Sequence, residues 1–190
     1  MIIFLAIATI AAGAIAIALA TAPRDGFETQ IFIAAPPREV WKHLSDPRAI
    51  PLWNPSMRHV EGRFAKGARL RLTMESPSGG TITFRPRVLV AESGQELRWL
   101  GRLGLPRLFD GEHYFRLIPE AGGTRLIHGE RFQGVLLWAM SVAQFRPIFE
   151  AANQGLKRRV EAAAIDASRP SCQKHGASAE DHHAKPASRP

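Results

Sequence analysis

The sequence predicts an α+β domain in which a curved antiparallel sheet of about six to seven strands wraps around one long C-terminal helix. An N-terminal transmembrane helix precedes the domain. Three patterns support this prediction: residues 2–22 carry no charge, apolar and polar residues alternate through much of residues 27–132, and apolar residues recur at steps of three and four between Phe145 and Ala163. A period of two indicates strands with one buried face, whereas the three-four spacing indicates an amphipathic helix.

The strands follow from the alternating pattern. β-branched and aromatic residues favour a strand at residues 27–34, and Pro37 suits the first turn of a short helix after it. Further apolar strand faces are predicted at Leu70, Leu72 and Met74, at Ile82, Phe84, Val88 and Val90, and at Leu97 and Trp99. Pro86 requires an edge position or a bulge in the second of these. In the last two strands polar residues enter an apolar face, which comprises His113, Phe115 and Leu117, then Leu126, His128, Glu130 and Phe132.

The long helix is predicted from about Trp138 to Ile165. Its apolar stripe comprises Phe145, Phe149, Ala152, Leu156, Val160 and Ala163. Pro147 lies near the start, where it sets the first turn or kinks the helix. An antiparallel sheet with one apolar face needs such a helix to cover it, so the pattern predicts a helix-grip fold.

Two segments resemble a known superfamily. The segment "IAAPPREVWKHLSD" at residues 33–46, followed by Trp53, and the segment "DGEHYFRLIPEAGGTRLIHGERFQG" at residues 110–134 are similar to the START-like, or SRPBCC, superfamily, particularly its polyketide cyclase/dehydrase branch. The resemblance covers roughly residues 27–165 and implies a helix-grip fold with an internal cavity. Members bind lipids, polyketides, hormones or isoprenoids, and only some are enzymes, so the resemblance implies no particular reaction.

Composition is that of one globular domain with extensions: 190 residues, 45% hydrophobic, 22% charged and a formal charge of +8. The six arginines of the middle strands are scattered without a basic run, which favours a solvated sheet face over a nucleic-acid partner. They are Arg69, Arg71, Arg85, Arg87, Arg98 and Arg102. The single cysteine, Cys172, excludes an internal disulfide and a cysteine-based metal site.

The chain divides at three boundaries. Residues 1–23 form an N-terminal transmembrane anchor or signal segment, residues 24–166 the START-like domain, and residues 167–190 a polar tail that is predicted to be disordered because it lacks large apolar side chains.

The N-terminal segment has two interpretations. Residues 2–22 are long enough to span a bilayer, and no Lys or Arg precedes them, which favours a retained single-pass anchor over a secretory signal. Arg24, Arg38 and Lys42 follow the segment and place the domain in the cytoplasm by the positive-inside rule. In the alternative, Ala20-Thr21-Ala22 is a cleavage site and the domain is exported.

Eight residues are candidates for ligand contact because they lie on predicted inward faces or close one end of the cavity. They are Trp53, Phe84, Trp99, His113, Phe115, His128, Glu130 and Phe132. A buried histidine beside a carboxylate acts as a general base or holds a polar ligand group, so His128 and Glu130 are the catalytic candidates, with His113 orienting a substrate. The same His and Glu also suit a purely structural pair, and the aromatic residues suit an ordinary core.

Metal and cofactor chemistry find little support in the sequence. Two imidazoles and a carboxylate, from His113, His128 and Glu130, make a conceivable zinc set, but no close-spaced ligand motif accompanies them, and we assign no metal. His182 and His183 in the tail are interpreted as solvated. No nucleophile elbow, P-loop or dinucleotide fingerprint occurs, so no cofactor is predicted.

The preferred interpretation is therefore binding of a small hydrophobic ligand, such as a lipid, an isoprenoid or a polyketide-like molecule, in an internal cavity near a membrane. One alternative is an enzyme of cyclase, dehydratase or hydrolase type that uses His128 and Glu130. The other is a cochaperone-like interaction module whose cavity is filled by side chains. A membrane partner is predicted through residues 2–22, and nucleic acid is not expected.

Overall fold

The computed structural model describes residues 1–76 and 79–168. Its helices are α1 (Ile2–Ala20), α2 (Pro37–Leu44), α3 (Ile50–Trp53) and α4 (Arg146–Ser168). Its strands are β1 (Arg24–Ile33), β2 (Met57–Glu61), β3 (Arg71–Glu75), β4 (Thr81–Phe84), β5 (Arg87–Glu92), β6 (Glu96–Arg102), β7 (Asp110–Glu120) and β8 (Gly123–Gln133). Most of the predicted disordered tail, including Cys172, lies outside these residues.

Two antiparallel sheets form the body of the domain. The larger has the order β1-β8-β7-β6-β5, and the smaller has the order β2-β3-β4. Backbone hydrogen bonds from Leu70 to Pro86 and from Val88 to Ala68 join the sheets where they meet. The α+β helix-grip prediction is confirmed, with eight strands in two sheets where about six to seven were expected.

The extra strands have local causes. Pro86 separates β4 from β5, which pair in different sheets, so the single strand predicted through residues 82–90 is wrong. A proline supplies no N–H to a ladder, and the chain changes sheet there. β2 was not predicted because a bulge between Met57 and His59 disrupts its alternation, leaving Met57 and Val60 as its buried residues.

The long helix covers the inner face of the larger sheet. It begins at Arg146, later than the predicted start near Trp138, because two 3-10 turns, Val135–Trp138 and Val142–Phe145, occupy the preceding residues. Pro147 lies in its first turn, where a missing N–H is harmless. Six α4 residues are buried, Phe149, Ala152, Asn153, Gly155, Leu156 and Val160, whereas Ala163 of the predicted stripe is exposed.

The main core lies between α4, α2 and the two sheets, and it includes Ile33, Leu44, Leu72, Leu97 and Leu156. A side chain on Gly155 would overlap the backbone carbonyl of Trp53, so this glycine lets α3 pack directly on α4. A second, smaller cluster of Phe27, Phe132, Val142 and Phe149 lies beside it.

The six arginines of the middle strands lie mostly on the outside, as the solvated-face interpretation requires. Five are exposed, and Arg98 is half-buried with its guanidinium bound to Glu96 and Glu112. Beside it, Tyr114 donates a hydrogen bond of 2.6 Å to Glu28, and the guanidiniums of Arg98, Arg116 and Arg131 lie over its ring at 5.3–5.5 Å. The outer face is therefore a network of opposite charges.

Candidate functional site

A cavity of about 210 Å3 lies between the inner face of β6–β8, the smaller sheet and the start of α4. Most of its lining is apolar and comes from Met57, Leu72, Met74, Ile82, Phe84, Trp99, Leu103, Phe109, Phe132, Phe145, Ile148 and Phe149. The polar side chains that reach it include His113, His128 and Glu130. An apolar chamber with a few convergent polar groups is the usual form of a small-molecule site.

Strand register sets the polar groups side by side. In one row across the sheet, Trp99 of β6 pairs with His113 of β7, which pairs with Glu130 of β8. In the next row inward, Phe115 of β7 pairs with His128 of β8. Directly opposite residues on one face have Cβ atoms about 5 Å apart, so each row brings its side chains into contact.

His128 is the buried centre of the site, with only 1% of its surface exposed. Its ring lies between Phe115 and Phe149, with ring centroids 4.1 and 4.3 Å away. Its Nδ1 is 2.7 Å from Asn153 Oδ1, and the Asn153 amide nitrogen donates to Thr29 Oγ1 at 2.9 Å. Thr29 in turn donates to the backbone carbonyl of His128 at 2.9 Å, which closes a cycle of hydrogen bonds through His128, Asn153 and Thr29.

His113 links the buried His128 to the cavity. Its Nε2 is 2.9 Å from His128 Nε2, and its Nδ1 is 3.4 Å from Glu130 Oε2. Its ring stacks on Trp99 with centroids 4.5 Å apart and an interplanar angle of 7°. His113 and Glu130 keep 16% and 19% of their side-chain surfaces exposed, so the chain of polar groups ends at the cavity wall.

The contacts determine which atom donates and which accepts in each hydrogen bond of this series of side chains. Asn153 presents its carbonyl oxygen to His128, so His128 Nδ1 carries the hydrogen and its Nε2 accepts from His113 Nε2–H. His113 Nδ1 is then an acceptor, and Glu130 Oε2–H is the donor that faces it. Hydrogen bonds therefore run one way, from Glu130 through both imidazoles and Asn153 to Thr29. We call these five residues the relay.

Burial favours the same protonation states that these hydrogen bonds require. Burial raises the pKa of Glu130 to about 8 and lowers the pKa of His113 to about 3. Burial, together with the neighbouring His113, holds the pKa of His128 well below its ordinary range, against the opposing effect of its hydrogen bonds to Asn153 and the Phe149 backbone. At neutral pH the relay is therefore uncharged, with a protonated carboxyl at its cavity end.

A glycine makes room for that carboxyl. Gly111 lies next to Glu130 on the inner face, and a Cβ atom there would overlap Glu130 Oε1. Gly101, directly opposite on β6, has no such conflict, because its nearest heavy atom would be the Gly111 carbonyl oxygen at 3.8 Å. Oε1 thus occupies the space that a side chain at Gly111 would fill.

The structure separates the eight predicted contact residues into two groups. Six line the cavity: Phe84, Trp99, His113, His128, Glu130 and Phe132. Trp53 and Phe115 lie behind the lining in the main core, where their rings meet edge to face at 6.4 Å. Trp53 also donates from Nε1 to the His43 carbonyl at 3.2 Å.

Sequence reasoning missed Thr29 and Asn153. Asn153 follows Ala152 on the buried side of α4, and a polar residue on an otherwise apolar stripe was the available signal. Thr29 carried no comparable signal, since threonine is common in strands. Within residues 1–76 and 79–168, no three His, Cys, Asp or Glu side chains are grouped so as to hold a metal ion.

Solved structures share the fold. A protein from Rhodobacter sphaeroides is 22% identical, with 73% of this chain and 93% of that chain covered and a TM-score of 0.62. A protein from Chromobacterium violaceum is 20% identical, with coverages of 72% and 96% and a TM-score of 0.61. The di-domain ARO/CYC StfQ from the steffimycin biosynthetic pathway is 17% identical, with coverages of 76% and 51% and a TM-score of 0.58.

At these identities the structural likeness shows the fold alone. No curated protein matches the chain. One family model, described as polyketide cyclase / dehydrase and lipid transport, matches residues 24–161, which span every strand, the cavity and the relay. This match confirms the resemblance seen in residues 33–46 and 110–134. The chain therefore belongs to the polyketide cyclase / dehydrase and lipid transport family.

Proposed function

We propose that the cavity binds a small, mostly apolar molecule that carries one hydroxyl group, and that α1 holds the domain at a membrane. The observation that carries the proposal is the position of the Glu130 carboxyl, which lines the cavity at the end of the relay. Family membership and fold support a ligand-binding or cyclase role in general. The direction of the hydrogen bonds in the relay indicates which polar group the ligand carries, and the size of the cavity limits its apolar part.

The relay favours a hydrogen-bond donor. When the Glu130 proton points to His113 Nδ1, Oε1 is left as an acceptor without a hydrogen-bond partner among the described residues. A ligand hydroxyl satisfies it without disturbing the relay. A ligand carbonyl requires the proton to turn away from His113 and leaves that ring nitrogen unpaired, and an unpaired buried polar group costs about 1–3 kcal/mol. A carboxylate ligand would place its charge against the uncharged relay. Arg102 also lines the cavity, but its guanidinium is half exposed and already lies 3.4 Å from Asp110, so a carboxylate is disfavoured.

Cavity size limits the apolar part of the ligand. An engineered protein cavity of roughly 150 Å3 holds benzene. A volume of about 210 Å3 therefore suits one or two rings or a short isoprenoid, and it excludes full enclosure of a two-chain lipid. The same open volume argues against the cochaperone-like alternative with a filled core.

Four naphthalene derivatives of nearly equal size test this proposal: 2-naphthylmethanol, 2-ethylnaphthalene, 2-naphthaldehyde and 2-naphthoate. Calorimetric titration of the full-length protein in detergent should give the alcohol about tenfold higher affinity than the hydrocarbon, corresponding to one hydrogen bond of about 1.4 kcal/mol. The aldehyde should bind less tightly than the alcohol, and 2-naphthoate weakest. Equal affinities for alcohol and hydrocarbon would exclude Glu130 from ligand contact.

A second candidate function, acid–base catalysis, is favoured by the pKa of about 8 at Glu130, which is near the operating pH of most enzymes. The variant Glu130→Gln separates the two functions. Its amide N–H can donate to His113 Nδ1 while its carbonyl oxygen still accepts from a ligand hydroxyl, so binding of 2-naphthylmethanol should persist within about threefold. An enzyme that uses Glu130 as an acid would lose turnover, because an amide has no proton to transfer.

A further inference from the structure

We infer that the domain rests on the lipid bilayer through a specific apolar surface, which we call the anchor-side surface and define as Leu103, Leu105, Leu136 and Trp138. This inference rests on the proposal that α1 is a membrane anchor. It adds a second contact with the membrane, made by the folded domain itself, and it fixes which end of the cavity faces the lipid.

The four residues are conspicuously exposed for their size. Leu105 and Trp138 are 69% and 61% exposed, and Leu103 and Leu136 are 45% and 37% exposed. They account for half of the eight large apolar side chains that the described residues after α1 expose. Isolated exposed apolar residues are normal on a protein surface, but a cluster at one end indicates an interaction site.

Backbone hydrogen bonds hold the two segments that carry these residues together. The Val135 N–H donates to the Arg107 carbonyl at 3.0 Å, and the Leu136 N–H donates to the Leu108 carbonyl at 3.2 Å. The loop between β6 and β7 and the turn Val135–Trp138 are therefore one unit at one end of the larger sheet. At the same end, Arg24 of β1 pairs with Gln133 of β8.

The same unit is joined to the end of α1. Arg107 donates from Nη1 to the Leu19 carbonyl at 3.3 Å, and the Gly134 N–H donates to the Pro23 carbonyl at 3.1 Å. Residues 21–23 separate α1 from β1, and three extended residues reach about 10 Å at most. The anchor-side surface must therefore stay close to the point where α1 ends.

The length of α1 decides which partner lies at that point. Its 19 residues span about 28 Å, close to the ~30 Å hydrocarbon thickness of a bilayer, and none of them is buried in the protein. When α1 spans the membrane, its last turn lies at the headgroup level. Tryptophan is enriched at this level, and arginine acts as an anchor there because its long side chain places the guanidinium among the headgroups. Trp138 and Arg107 provide this pair, so the occupant of the surface is lipid.

This placement also orients the cavity. Leu103 belongs to the anchor-side surface and also lines the cavity. Phe109, in the same loop, and Phe145 line the cavity as well. The cavity therefore has apolar lining that continues onto the surface facing the bilayer. An apolar ligand dissolved in the membrane can enter along this path without crossing water.

Quenching of tryptophan fluorescence by brominated lipid tests the inference with the full-length chain. The chain has four tryptophans and none lies in α1. The protein is reconstituted into phosphatidylcholine liposomes with and without bromine on the acyl chains. Bromine quenches only at short range, so we expect quenching in the parent and loss of most of it in Trp138→Phe. Trp41→Phe is the matched control and should retain it, because α2 begins beside Gly94 at the opposite end of the sheet.

A second variant keeps the test independent of the tryptophan itself. Leu105→Asn with Leu136→Asn should reduce the quenching of Trp138 by at least half. Leu52→Asn on α3 should not, although Leu52 is 65% exposed, close to the 69% of Leu105. Unquenched Trp138 in a protein that stays with the liposomes would overturn the inference, whether the surface faces water or a second copy of the chain. So would a protein that does not stay with the liposomes. Binding of 2-naphthylmethanol in detergent is measured separately, so failure of the ligand proposal is recognised by itself.

Discussion

The Nε2 atoms of His113 and His128 lie 2.9 Å apart, so one of the two imidazoles donates its hydrogen to the other. Aromatic rings surround both of them, with His113 against Trp99 and His128 between Phe115 and Phe149. Two cations at this distance in an apolar site would repel strongly and lose their hydration. The pair is therefore not doubly charged, and burial keeps both rings neutral, while the Glu130 proton points to His113 Nδ1.

Stability should depend on pH in two opposite directions. The folded-state pKa of His113 is lowered to about 3 and that of His128 is also lowered, so stability falls as pH drops below the ordinary histidine value of about 6.5. The folded-state pKa of Glu130 is raised to about 8 from 4.5, so its contribution is fully present below 4.5 and is lost as pH rises towards 8. Just below pH 6.5, the stability that the two histidines lose as pH falls is larger than the stability that Glu130 gains. The combined contribution of the three groups to stability is therefore greatest near pH 6.5.

Urea unfolding of the parent and Glu130→Gln measures the alkaline effect. The unfolding free energy of the parent should fall by about 1 kcal/mol per pH unit between pH 6.5 and 8 relative to the variant. Taking the difference cancels the other titrating groups. Parallel profiles for the two proteins would mean that Glu130 is ionised in the folded state.

Gly111→Ala should damage the site directly. The new methyl group overlaps Glu130 Oε1, the far end of a flexible side chain, so the carboxyl moves away from His113 and their hydrogen bond is lost, at a cost of about 1 kcal/mol. Affinity for 2-naphthylmethanol should fall at the same time. Gly101→Ala is the matched control, since its methyl group makes ordinary contacts, and thermal unfolding with calorimetric titration compares the two. Equal behaviour of both variants would contradict the assigned position of Glu130.

Asn153→Leu should destabilise the domain by about 1–3 kcal/mol, because His128 Nδ1–H loses its side-chain acceptor and Thr29 Oγ1 loses a donor, although the Thr29 hydroxyl still donates to the His128 carbonyl. Replacing His128 by Phe in the same protein should recover part of this loss, since the unpaired donor is removed. Denaturant unfolding of the two single variants and the double variant gives the coupling energy of the pair. Strictly additive effects would mean that the two side chains do not interact.

Leu156→Asp should unfold the domain. Leu156 is completely buried in the main core, and an unpaired carboxylate there costs several kcal/mol against a typical domain stability of about 5–15 kcal/mol. Ala163→Asp, two turns along the same helix and exposed, should leave the midpoint of thermal unfolding within a few degrees of the parent. An unchanged midpoint in Leu156→Asp would contradict the position of α4.

The anchor predicts that full-length protein stays with membranes after an alkaline carbonate wash. Among the described residues, α1 is the helix long and apolar enough to span a bilayer, although a signal sequence meets the same criteria. Intact-mass measurement distinguishes the two. A mature chain that starts at Pro23 would establish cleavage and export, and quantitative release from the membrane would exclude a retained anchor.

Residue order alone determined the α+β class and the inward faces of the last two strands. Alternation through residues 113–117 and 126–132 assigns each side chain to a face, because successive strand residues point to opposite sides. The same rule indicated that His113, His128 and Glu130 interrupt an apolar surface. The three-four spacing likewise identified Leu156 and Val160 as core, since a helix presents one stripe to its sheet.

Tertiary structure decided what those residues do. Strand register set His113 opposite Glu130, and α4 brought Asn153 to His128 across 25 residues of sequence, neither of which a local pattern encodes. The start of α4 and the break at Pro86 depended on which sheet each segment joined. The pKa of Glu130 is raised because the assembled domain removes water from its carboxyl, and burial exists only after distant elements pack. Sequence thus assigned residues to faces, whereas packing fixed their neighbours and their charge.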